Sequence, residues 1–196
     1  MQYQITIEGQ SPIIHHCGNA GLDTRSPIAI EIAEIAKKRG TNRTEIDDQR
    51  LCELECQKSL WLNEKGEITI PERVIRAGIE AGARKLKQGP LVREGLVVIK
   101  SVFNWDTKRY GKTVEEVSRS AIFTAAVVVQ RSRILRTRAK FDTPWTCTFT
   151  LETDPELVDK DMIERWLHIA GNRLGIGDWR PEKSGQYGRF LVKAIT

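Results

Sequence analysis

The strictest constraint on this chain is the run Trp145-Thr-Cys-Thr-Phe-Thr-Leu151. Trp145, Cys147, Phe149 and Leu151 alternate with Thr146, Thr148 and Thr150 without a break. Only an extended strand sends successive side chains to opposite faces, so this run demands a sheet with one apolar face against a core and one polar face turned away. Tyr3-Gln-Ile-Thr-Ile7 repeats the pattern. Between Val127 and Phe141 the residues Leu135, Thr137, Ala139 and Phe141 alternate with Arg136, Arg138 and Lys140. Gly95-Leu-Val-Val-Ile99 is continuously apolar, as a buried strand is, and Arg189 to Ile195 makes a last strand. Asp142-Thr-Pro144 is a turn signal that would pair the 127–141 strand with the 145–151 strand. The pair would carry one apolar face and one open face of arginine, lysine and threonine, suited to a phosphate backbone.

Helical signals fall between these strands. Ser26-Pro27 reads as an N-cap followed by proline at the first helical position, with Ile28, Ile32 and Ile35 as the stripe and Gly40 as the stop. A second helix is expected from about Thr44 to Leu60, with Ile46, Leu51, Leu54 and Leu62 as core contacts. Asn63-Glu-Lys-Gly66 turns the chain and Ile68-Thr-Ile70 is briefly extended. Pro71 then opens a helix whose buried face is Ile75, Ile79, Ala83 and Leu86; Gly78 and Gly82 permit a close neighbour, and Gly89-Pro90 ends it. A closing helix from about Asp159 to Ala170 carries Ile163, Trp166, Leu167 and Ala170. The segment from Ser101 to Ser120, with Trp105, Lys108, Arg109, Tyr110 and Lys112, reads as a long loop excursion or arm.

The predicted fold class is therefore α+β: a ferredoxin-like or RRM-type βαββαβ core with an antiparallel sheet, a helical insertion at 10–66, a loop or arm at 101–120 and a glycine-rich loop at 171–190. At 196 residues the chain fits one such domain, 1–196. No apolar run approaches membrane-spanning length, and the first residues lack a basic segment followed by an apolar signal core. The expected location is the cytoplasm, with no membrane partner.

The formal charge of +5 matters less than its placement. The first half mixes signs, whereas Arg131, Arg133, Arg136, Arg138 and Lys140 fall within ten residues that hold no acid. Such a block is the electrostatic footprint of a nucleic-acid surface; a solvated strand face is the other reading. The four cysteines, Cys17, Cys52, Cys56 and Cys147, form no C-x-x-C pair. Cys52 and Cys56 share a helix face, and with His15, His16 and Cys17 they could make a zinc site, but the spacing favours reduced thiols, so neither metal nor cofactor is expected. Walker-type, His-Glu-x-x-His and Gly-x-Ser-x-Gly motifs are missing, which points away from the commonest hydrolases.

The end of the chain concentrates the most suggestive chemistry. Gly171, Gly175, Gly177, Gly185 and Gly188 punctuate a stretch that holds Arg173, Trp179, Arg180, Lys183, Tyr187 and Arg189. Glycines permit turns and close backbone approach, arginines supply planar forks for phosphate, and aromatic rings offer faces for bases. The stretch reads as a loop that grips a polyanionic strand; the alternative is a tight surface turn between a helix and a strand.

Small residues at a helix end, then Gly-x-Gly, a basic stretch and Gly188-Arg-Phe190 before the last strand resemble the C-terminal glycine-rich loop of the RAMP superfamily. These are RNA-binding proteins with RRM-like folds, best known as CRISPR-associated subunits. A group of uncharacterised phage and prophage proteins is similar over most of the chain. That likeness runs through His16 to Asp23, Ile70-Pro-Glu72, Arg136-Thr-Arg138 and Gly177-Asp-Trp-Arg-Pro181. The resemblance implies an RRM-like core in a bacterial host cell that binds single-stranded RNA or DNA without sequence preference. It also implies arrays along the strand, as a homo-oligomer or in a CRISPR-type complex.

Three functions compete. The first is a binding module in which the basic strand residues track phosphates while Trp179 and Tyr187 stack on bases. The second is a decoy or inhibitor of a host defence complex, which needs the same basic face. The third, drawn from the resemblance, is a RAMP-type ribonuclease using Asp23 in the loop after the first strand, with His15 or His16 as acid–base partner; Asp23 can equally turn the chain into the Ser26 helix. His168, beside Trp166 and Leu167, reads as structural. Binding ranks first.

Overall fold

The computed structural model describes residues 1–17, 24–129 and 132–196, so Asp23 and Arg131 lie outside the described residues. The fold is α+β with antiparallel sheets. Its elements are β1 (Gln2–Gly9), β2 (Ile13–Ile14), α1 (Pro27–Lys37), α2 (Glu45–Ser59), α3 (Glu72–Arg84), α4 (Gly89–Gly95), β3 (Leu96–Asn104), α5 (Thr107–Tyr110), α6 (Val114–Ser120), β4 (Ile122–Val129), β5 (Ser132–Phe141), β6 (Thr146–Thr153), α7 (Lys160–Ile169) and β7 (Phe190–Ile195). No helix among the described residues is long and apolar enough to cross a membrane. The chain divides into two units, one of residues 1–14, 62–106 and 141–196, the other of residues 15–61 and 107–140.

The first unit is built on a four-stranded sheet in the order β3-β6-β1-β7, each pair antiparallel. The alternation in β6 does what its sequence demands: Cys147, Phe149 and Leu151 are buried, and Thr146, Thr148 and Thr150 are half-buried on the other face. Thr6 stands opposite Thr148, and their hydroxyls bond at 3.0 Å. Ile5 and Ile7 of β1 share the apolar side. There Ile7 and Phe149 meet Ile75 and Ile79 of α3, Leu167 of α7, Ile176 and Phe190 around a gap of only about 10 Å³. The two helices touch backbone to backbone, since a Cβ on Gly82 would collide with the Trp166 carbonyl oxygen. Trp166 is fully buried and its indole N–H donates to Gln88 Oε1 at 2.8 Å, which satisfies the one polar atom of a large apolar side chain. Asp159 caps α7 through Met162 N–H at 2.8 Å.

In the second unit α1 and α2 are capped as the sequence indicates. Ser26 Oγ accepts from Ala29 N–H, and Thr44 and Asp47 form a reciprocal capping box. Arg50 ties the two helices, donating to both carboxylate oxygens of Glu31 at 2.7 and 3.1 Å. β4 and β5 form an antiparallel hairpin with Thr124 opposite Thr137.

Several expectations change. The strand carrying Arg136 and Arg138 does not pair with the threonine strand: β5 pairs with β4, and β6 lies between β3 and β1. Ile122 to Val129 is a separate apolar strand only two residues before β5, and so short a connection costs little closure entropy. The expected single face of arginine, lysine and threonine is therefore split between two sheets. The stretch 101–120 is not one loop but the end of β3 followed by α5 and α6. The Thr113-Val-Glu-Glu116 capping box that starts α6 is legible in the sequence. Gly89-Pro90 opens the short helix α4, because proline fits a first helical turn. Leu86 is exposed because α3 ends at Arg84, and Ile46 is 78% exposed in the first turn of α2. Leu62 is also exposed, although its backbone bridges the buried Ile68. Leu135 is 68% exposed, since burial on β5 begins only at Thr137.

Candidate nucleic-acid interface

The glycine-rich stretch of the first unit leaves α7 through a π-helical turn at Ala170–Leu174 and then closes on itself. Ile176 N–H donates to Gly188 O at 2.9 Å and Tyr187 N–H to Trp179 O at 3.1 Å. Gly188 N–H reaches Pro12 O at 2.7 Å and Asp178 N–H reaches Ile14 O at 3.0 Å, so the loop base is bonded to the segment after β1. The tip is a single 3₁₀ turn, Pro181–Lys183, followed by Ser184 in the left-handed region. Gly185 and Gly188 are required by space: a Cβ on Gly185 would overlap the Trp179 carbonyl oxygen, and one on Gly188 that of Ile176. The N–H groups of Gly175, Gly185 and Gly188 all donate to carbonyls of this unit, so these three glycines shape the turn and offer no donors outward.

That geometry sets Trp179 and Tyr187 side by side, ring centroids 6.3 Å apart and planes 18° from parallel. With Lys183, Ser184, Gly185 and Gln186 they line an open recess of about 460 Å³, within the range of small-ligand sites. Trp179 holds a φ of +48°, an uncommon conformation for a bulky residue. Its neighbour Arg180 is turned into the loop: Nη1 donates to Gly177 O at 3.1 Å, and Nε and Nη2 donate to Glu182 Oε2 at 2.9 and 2.7 Å. Arg180 thus braces the loop. Arg173 and Arg189 are exposed, the latter fixed at its backbone N–H by Ser11 Oγ at 3.0 Å. Of the residues singled out in this stretch, the structure brings Trp179, Lys183 and Tyr187 around one recess. Ser184 and Gln186 join them without having been expected, and no pattern marked them. Glu182, two places after Arg180, was the legible sign that this arginine has an internal partner.

The second unit holds the other basic residues. Arg136, Arg138 and Lys140 occupy alternate positions of β5, and Arg133 is exposed nearer its start. Arg136 Nη1 donates to Glu55 Oε1 of α2 at 3.3 Å, and Lys140 Nζ lies 5.1 Å from the centre of the Phe123 ring.

The histidines separate sharply. His16 is exposed, whereas His15 is fully buried, its ring centroid 4.4 Å from that of Trp61 and its Nδ1 accepting from Trp61 N–H at 3.4 Å. Burial pushes the His15 pKa down to about 3, so its imidazole is neutral at physiological pH and not poised for acid–base work. The unfolded chain takes up this proton near pH 6.5 while the native state refuses it down to about pH 3. Stability from this group is therefore complete above pH 6.5 and falls as pH drops, by up to about 1.4 kcal/mol per unit. Melting temperatures measured between about pH 8 and pH 5 should show this decline, and a His15→Phe variant should lose that component; an equal decline in the variant would refute the assignment.

All four cysteines are free. Burial raises the Cys56 and Cys147 thiols to about 12, so neither is a ready nucleophile. Among the described residues no group of three or more His, Cys, Asp or Glu side chains could hold a metal ion. His168 sits at the end of α7 with its Nε2 2.9 Å from Asn172 Nδ2. No family model matches the chain, and no curated protein matches it either.

Proposed function

We propose that this chain binds single-stranded nucleic acid, and that the recess of the glycine-rich loop receives its bases. The observation that carries the reading is the near-parallel Trp179–Tyr187 pair beside Lys183, on a loop braced by Arg180 and by the backbone N–H groups of Gly175, Gly185 and Gly188. Flat aromatic faces next to a mobile cation are what a base and its phosphate require, and stacking tolerates every base. We read the first unit as a ferredoxin-like, RRM-type core related to the RAMP proteins. In support, its four strands stand in the order second, third, first, fourth, with α3 after the first and α7 after the third. The polar face of that sheet carries Gln4, Thr6, Thr148 and Thr150 and no aromatic residue among them. The stacking function therefore falls to the loop.

Isolation without nuclease treatment, followed by the A260/A280 ratio and identification of whatever strand co-purifies, tests the reading directly. Protein partners in place of a strand would favour the decoy function instead. In titrations with oligo(dT) and oligo(U), three contacts from Arg173, Lys183 and Arg189 would give a slope of log K against log salt of about −2. Absence of binding, or an affinity indifferent to salt, would remove the proposal.

A further inference from the structure

The β4–β5 hairpin has a feature that basic composition alone does not explain. From Ser132 to Phe141 the strand carries Arg133, Arg136, Arg138 and Lys140 and no acid. Arg136, Arg138 and Lys140 share one face, spaced at roughly 6.6–6.8 Å by the strand rise, close to the interval between successive phosphates of an extended strand. Paired with Arg136 and Arg138 on the same face stand Ala125 and Phe123 of β4, which give the row an apolar flank. Helix α2 places one carboxylate against this row. Glu55 Oε1 accepts from Arg136 at 3.3 Å, and Glu55 Oε2 accepts the Thr137 backbone N–H at 2.9 Å. One turn later Ser59 Oγ accepts the Ala139 N–H at 2.7 Å and donates to Cys56 O at 2.7 Å. The helix thus covers the edge of β5 with side-chain acceptors, and one of them is an anion held on an arginine whose side chain is still 50% exposed.

We propose that this face of the hairpin is a track for the phosphates of an extended single nucleic-acid strand, and that Glu55 is an internal anion occupying Arg136 until a phosphate displaces it. The identity of the polyanion rests on the single-strand reading above, but none of the residues of the glycine-rich loop is used. A carboxylate with two acceptor oxygens imitates one phosphate, and an ion pair whose arginine is half-exposed is open to exchange. Breaking it from either side costs the fold the same contact yet should have opposite effects on binding.

Glu55→Gln keeps an oxygen for the Thr137 N–H and removes the charge. Its affinity for an end-labelled oligo(dT) or oligo(U) of about 12 nucleotides, read by fluorescence anisotropy at about 50 mM salt, should rise about two- to fivefold, a gain that fades near 1 M. Arg136→Gln breaks the same pair and should weaken binding severalfold while reducing the salt slope by about 0.7. A structural role for the pair would move both variants in the same direction, and that result overturns the proposal whether or not either variant is less stable. A Trp179→Ala control separates the two ideas. If it weakens binding while both hairpin variants match the wild type, the single-strand reading stands and the track falls; if the wild type binds neither oligomer, both fall. Opposite-sign responses confined to a duplex probe would refute the single strand as occupant.

Discussion

Gly188→Ala is expected to cost about 3 kcal/mol or more of folding stability, among the largest effects of adding one methyl group anywhere in this chain. Gly188 has a φ of +72°, where a residue with a Cβ loses roughly 1–2 kcal/mol. The added carbon would also overlap the Ile176 carbonyl oxygen, which is backbone and cannot rotate away. Relieving the overlap means moving the strand of the loop whose bonds join Ile176 to Gly188 and Gly188 to Pro12. Gly66→Ala provides the control: its φ is +78°, but nothing lies within 4 Å of the new carbon, so only the conformational cost of roughly 1–2 kcal/mol applies. Chemical denaturation of both variants checks the comparison. Equal losses at the two positions would mean that the loop base yields easily and that the close packing around Gly188 is not needed.

Trp179→Ala should weaken single-strand binding about 5- to 150-fold, the range of one base–aromatic stack worth about 1–3 kcal/mol. Stability should change little, because Trp179 is only half-buried and alanine at a φ of +48° replaces a residue already in that conformation. Tyr187→Ala should behave similarly, and the double variant should lose less than the sum of the two, since both rings line one recess and their contributions are coupled. Tyr187→Phe, which keeps the ring, should stay near the wild type. Full affinity in the Trp179→Ala variant would remove the recess from the binding surface. A Glu182→Ala variant tests the bracing role of Arg180: it removes the acceptor of Arg180 Nε and Nη2 while leaving the rings intact, and a change in affinity there would come through loop geometry.

Much of the framework was legible because it rests on local periodicity. The alternation of Trp145 to Leu151 set both faces of β6, and the stripes Ile75-Ile79-Ala83 and Ile163-Trp166-Leu167 set the buried sides of α3 and α7. Gly82 was readable as a place of close approach, though the partner, the Trp166 carbonyl, was not. Errors arose where a local pattern has no fixed partner. Ile46, Leu86 and Leu135 fit apolar stripes but lie where a helix begins, past where one ends, or outside the buried part of a strand. The short helices α5 and α6 were hidden by basic and aromatic residues typical of loops, although Thr113 and Glu116 marked the second of them.

For the candidate site the division is similar. The sequence by itself determined the ingredients: glycines where a loop must turn tightly, two aromatic rings and a lysine within nine residues, and a strand with cations at three successive alternate places. Tertiary structure decided how they are used. It placed Arg136 and Thr148 on different sheets, because alternation fixes which way a strand's side chains face but not which strand lies beside it. It turned Arg180 inward to Glu182, directed three glycine N–H groups to internal carbonyls, and set Glu55 on Arg136 from 81 residues away in the chain. Side-chain periodicity is a property of neighbouring residues, whereas charge pairing and burial depend on what the fold brings beside them.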